Sequence, residues 1–151
     1  VEEPLAHGDF EGMKKFSNST NTPIILDESF LRYEHFNQIK SSPKNWLINL
    51  RISKMGGILR SIEIANQAEN LGLPLIIGAQ VGETSILSRA ALSIANHYRD
   101  LVTAQEGAFG TYLLEKDITE DPIMFGKGGV LESSSITTNN YGWGVNVRTL
   151  E

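Results

Sequence analysis

Several short stretches of this chain finish on side chains capable of chemistry. PIILD ends on Asp27, WLINLR on Arg51, LPLIIGAQ on Gln80 and LVTAQE on Glu106, while Glu2 and Glu3 stand at the opening in VEEPL. Arg51 poses the sharpest question. A long cation closing an apolar run is costly to bury without a partner, so a nearby acid, metal or ligand must account for it. In parallel α/β architectures the C-terminal ends of the strands form the functional face, which makes this set a candidate site. Strand ends are also where a chain returns to water, and one polar residue there carries little weight. Five successive ends carry more.

The elements that hold these residues follow from periodicity. Each strand-like run is succeeded by a loop and then by a helical stretch. Ile58, Ile62, Ala65 and Ala68 are spaced for one helix face, and so are Leu87, Ala91, Ile94 and Tyr98; both stripes are expected to be core. A weaker helix is expected over 31–39. Strands of nearly continuous apolar character alternating with helices imply a parallel sheet buried on both faces. The repeat of roughly 25 residues suits a (β/α) barrel. After Glu106 the rhythm stops, and residues 111–147, rich in Gly, Ser, Thr and Asn, read as loops with short antiparallel strands and no helix.

Composition narrows the classes. The chain has 151 residues, 40% of them hydrophobic, a formal charge of -5 and no cysteine. It is long enough for one modest core, carries no disulfide framework and no thiolate metal site, and is expected to be soluble and cytoplasmic. No apolar run approaches membrane-spanning length and no basic face suggests nucleic acid, so neither a membrane nor a nucleic-acid partner is expected. The pair Gly56-Gly57 resembles an anion-cradling turn, but without GxGxxG or GxxxxGK it is no nucleotide fingerprint. His7, His35 and His97 have no metal-ligand spacing among themselves. The stretch ESSSITT is a polar low-complexity loop rather than a nucleophile elbow.

Taken in order, VEEPL, PIILDES, NLRISKMGGI, GLPLIIGAQVGETS, QEGAFG and GWGV resemble the C-terminal barrel segment of the enolase superfamily, in its mandelate racemase and muconate lactonizing enzyme-like branch. The resemblance implies an α/β fold forming the C-terminal part of a (β/α) TIM-type barrel over 1–110, and an irregular tail over 111–151 that covers the barrel and meets a capping domain. The first barrel strands and that cap have no counterpart here. With Val1 at the start and Leu150-Glu151, a vector-like dipeptide, at the end, the chain reads as an incomplete piece of a longer protein. Such a piece is expected to self-associate or to pair with the missing barrel half, since its sheet edges would otherwise be open.

The resemblance further implies proton abstraction α to a carboxylate, with a small carboxylate-containing substrate and Mg²⁺ as cofactor, Mn²⁺ being a possible substitute. Glu2 and Asp27 match two metal-ligand positions, and Glu3 and Glu28 are the neighbours that pleating should point elsewhere. Arg51 falls where this branch usually has a lysine acid/base. Arginine stays charged, so it suits enolate or carboxylate binding better than proton removal. A one-base cycloisomerisation or elimination is therefore expected over two-base racemisation. Lys54 is expected on the opposite face or in the loop. Glu106 is expected to donate a hydrogen bond when protonated or to bind a substrate cation, with a solvated strand-end acid as the plain alternative. Gln80 is expected either to contact substrate or only to cap its loop. The competing reading of the whole is a barrel-derived module that has lost its chemistry.

Overall fold

The computed structural model describes residues 1–107, 110–123, 127–130 and 142–149. Strands β1 (Ile24–Leu26), β2 (Trp46–Leu50), β3 (Leu75–Ile77) and β4 (Val102–Gln105) lie parallel and side by side in chain order. Register sets Ile25 beside Leu47, Asn49 beside Ile76 and Ile77 beside Gln105. Glu2 forms a parallel bridge to Ile25 on the other side of β1, so a further strand position precedes the first helix. This is the alternating α/β order of a barrel segment.

Parallel neighbours require crossovers, and helices provide them. Helix α1 (Phe10–Thr20) leads into β1 and is capped by Asp9, whose carboxylate accepts the Gly12 N–H at 2.9 Å. The segment over 31–39 is less regular than one helix. A 3₁₀ turn (Tyr33–His35) leads into α2 (Phe36–Ile39), which buries Phe36 and Ile39. Between β2 and β3 run the single turn α3 (Ile52–Met55) and the long α4 (Ile58–Leu71); α5 (Ser85–His97) joins β3 to β4. The two predicted stripes face the sheet: Ala65, Ala68, Ala91, Ile94 and Tyr98 are buried and Ile58 and Leu87 pack against them, with Ile64 rather than Ile62 completing the α4 contact.

The two sheet faces differ in character. Ile24, Leu26, Ile48, Leu50, Leu75 and Ile77 point to the helices and are fully buried. Ile25, Leu47 and Ile76 alternate to the other face and are only half-buried. Asp27, Asn49, Arg51 and Gly78 continue this second face by the same period of two, which is how strand geometry delivers them to one mouth.

Among the described residues of the tail a short helix α6 (Gly110–Leu113) and a 3₁₀ turn (Lys127–Gly129) form where no helix was expected, and Thr119 pairs with Val147 in an antiparallel bridge. The ESSSITT stretch lies outside the described residues. No helix among the described residues is long and apolar enough to cross a membrane.

The tail also caps α5. Thr84 makes no side-chain cap bond; instead Asp117 accepts the Ser85 N–H and O–H at 3.0 and 2.8 Å and the Thr119 N–H and O–H at 2.9 and 3.1 Å. Burial alone would raise the Asp117 carboxyl, but these four bonds outweigh it and hold it below its ordinary value. A depressed folded-state value means the contribution is present above the ordinary value near 3.8 and is lost as pH falls through the folded one. Asp117→Ala should lower unfolding free energy in urea by about 2–3 kcal/mol at pH 7, and the gap between variant and parent should close on acidification below that ordinary value.

Candidate active site

Asp27 follows β1 directly and is only 1% exposed at its side chain. Both of its oxygens are engaged, Oδ2 by Arg51 Nη2 and Oδ1 by Lys54 Nζ. The acid demanded by Arg51 is therefore Asp27, one strand away and 24 residues earlier. Removing one partner from a buried pair leaves an uncompensated charge, so the two cations and the acid stand or fall together.

Lys54 is where the structure corrects the sequence reading. Counting three residues along an extended chain puts it on the far side, but the strand ends at Leu50 and Ile52–Met55 coils into α3. One helical turn brings the residue back beside Arg51. Gly56, at φ 89°, ends that turn in the left-handed region and frees the chain to start α4. Burial lowers the Lys54 ammonium from its usual range, while Glu3, Glu2 and Glu106 pull it back up.

The acids at the opening also depart from simple alternation. Glu3 has φ 26°, so the chain leaves extended geometry there, and its side chain turns inward instead of away. Its Oε1 accepts the Asp27 and Ser29 N–H groups at 2.7 Å each, and Oε2 meets His7 Nδ1 at 2.7 Å. Glu2 is exposed, with its charge felt at Lys54. Glu3, His7 and Glu28 bring ligand-type atoms within 4.8 Å of one another, although Glu28 and His7 are exposed and Glu3 is already committed to two amides. His7 thus finds carboxylate company that the spacing of the histidines alone did not reveal.

On the other side of Arg51 lie the β3 and β4 ends. Asn49 Nδ2 donates to Glu106 Oε1 at 3.3 Å, and the Ala79 N–H donates to Glu106 Oε2 at 2.9 Å. Glu83, missed from the sequence, is 7% exposed and accepts the Gln80 N–H at 3.1 Å. Burial raises its carboxyl; the Gln80 bond and Arg51 oppose this, and Glu106 adds to it. Gln80 is half-buried in this turn. The polar Asn49 inside WLINLR was a readable signal for a site-facing position, whereas Glu83 stands out only once its burial is known.

As for a metal, Glu2 and Asp27 supply hard carboxylate oxygens at adjacent strand positions, which suits Mg²⁺ better than a soft ion. In this structure both Asp27 oxygens are taken by Arg51 and Lys54, while the Glu2 side chain is exposed.

Residues 1–150 match the Enolase C-terminal domain-like family. The chain belongs to this family. Among relatives, the hydrophobic dipeptide epimerase of Enterococcus faecalis is 30% identical over 111 residues, which is 73% of this chain and 31% of that protein. The solved substrate-liganded L-Ala-D/L-Glu epimerase of Bacillus subtilis superposes with a TM-score of 0.80 at 26% identity, covering 99% of this chain and 40% of that one. The Enterococcus faecalis dipeptide epimerase complexed with Mg and the dipeptide L-Leu-L-Tyr gives 0.76 at 27% identity, over 87% of this chain and 37% of that one. A racemase and a cycloisomerase also match. The enolase-type chain described here thus spans about a third of the length of its relatives.

The enolase-type mouth depends on Gly78. A Cβ there would come within 2.7 Å of Arg51 Cγ and closer still to Asn49 Oδ1. Gly78→Ala should therefore cost about 1–3 kcal/mol in a denaturant titration and displace both side chains, whereas Gly57→Ala, with open space around it, would act only through its backbone strain.

Proposed function

We propose that this chain is the C-terminal barrel segment of a Mg²⁺-dependent enzyme that removes a proton α to a carboxylate in a one-base cycloisomerisation or elimination. The observation that carries this is the Arg51–Asp27–Lys54 cluster at the strand ends. Proton removal next to a carboxylate builds negative charge on its oxygens, and fixed positive groups stabilise that charge. Arg51 is always charged. Lys54 is committed to Asp27 by its ion pair, and in this reading the base is assigned to another strand.

Mg²⁺, when bound at Asp27 and Glu2, supplies further Lewis acidity for the same charge. Arg51 orients the substrate carboxylate, Lys54 keeps Asp27 neutralised and fixed, and Glu106 donates a hydrogen bond when protonated. Gln80 meets the substrate from the β3 loop. The partners in this reading are a small carboxylate substrate and the remaining barrel strands, supplied by the same protein or by a second copy.

The engagement of both Asp27 oxygens by side chains favours one alternative, a barrel-derived module whose acid is satisfied without metal. Two measurements separate the readings. Calorimetry on the full-length protein should show Mg²⁺ binding that Asp27→Asn weakens at least tenfold, about 1.4 kcal/mol; a module would bind none. In deuterated water, the enzyme should wash deuterium into the α position of its substrate. Arg51→Lys should lower turnover by removing bidentate contacts while restoring an amine that admits exchange from the second face. Unchanged turnover in both Arg51→Lys and Arg51→Ala would remove Arg51 from the chemistry.

A further inference from the structure

The turn after β3 holds an apolar side chain in water beside the site. Gln80 N donates to Glu83 Oε1 and Glu83 N donates to Gln80 O at 3.2 Å, so Glu83 is drawn inward and Val81 is forced out at the tip. Val81 is 92% exposed and Leu113, on α6, is 58% exposed. With Ala79, Gly82 and Glu106 they border a cavity of about 350 Å³, at the small end of the range that takes organic ligands.

Among the described residues Glu106 is the one charged group in that wall, and two donors anchor it. Glu106 accepts from Asn49 Nδ2 with one oxygen and from the Ala79 N–H with the other, so both oxygens are anchored to the protein. Asn49 also links this cavity to Arg51, two residues further along the same face of the sheet. A ligand whose carboxylate lies at Arg51 thus meets apolar surface from Ala79, Val81 and Leu113 beside Gln80 and the anchored Glu106.

We propose that Ala79, Val81 and Leu113 form a subsite for an uncharged alkyl or aryl substituent, making the substrate class apolar-substituted carboxylates. The carboxylate half of this assignment rests on the proposed function; the apolar half rests on the cavity alone. Cover over Val81 and Leu113 removes hydrocarbon from water, so affinity must rise with substituent length. The cavity has room for a branched alkyl or phenyl group.

Two ligand ladders test this on the intact protein, labelled at valine and leucine methyl groups and followed by NMR. One ladder is acetate, butyrate and hexanoate; the other is ethanol, butanol and hexanol. Dissociation constants read at Val81 and Leu113 should fall at least about fourfold with each added pair of methylenes in both ladders. Val81→Ser and Leu113→Gln, both at exposed positions, should each flatten that dependence. Affinity independent of chain length, or a length dependence that survives both substitutions, overturns the subsite. Alkanols that gain with length while alkanoates bind no better than alkanols of equal length uphold the subsite and count against the carboxylate reading instead.

Discussion

A buried carboxylate shared by two cations is the constraint around which the mouth is organised. Asp27 has almost no contact with water, so its charge survives only because Arg51 and Lys54 reach it from the next strand and the turn beyond. Those reaches dictate the backbone. Arg51 must continue the β2 face, α3 must coil at once to return Lys54, and Gly78 on β3 must leave empty the space that Asn49 and Arg51 fill. Glu3 then holds the amides of Asp27 and Ser29, fixing the acid from behind.

Two electrostatic neighbourhoods meet at Arg51. The first contains Asp27, Glu2 and Glu3, with Lys54 among them; the second contains Glu83 and Glu106. The guanidinium has a buried Nε with no hydrogen-bond partner among the described residues.

Much of this was legible in the sequence, and the reasons differ by residue. That Asp27, Arg51 and Glu106 lie at strand ends was readable because strand ends are local features: an apolar run stops and a polar side chain follows. The order of the motifs supplied the superfamily, and the two helix stripes supplied the sheet contacts. Helix α1 escaped because its apolar face is small, with Met13 its one fully buried hydrophobic residue and Ser17 buried beside it. Lys54, Glu3 and Glu83 escaped for another reason. Their directions depend on a helical turn, a positive φ and a tight loop, none of which a period of two can express.

The strand order has a consequence for how such a site comes into being. Because β1 to β4 pair strictly with their sequence neighbours, every sheet contact closes a loop of one short crossover, a topology of low contact order for a parallel sheet. Asp27 and Arg51 are brought together by the first of these closures alone, whereas the β3 turn and Glu106 arrive with the later two. In chain order, every residue of the charge clamp thus precedes every residue of the β3 turn and Glu106 that wall the mouth.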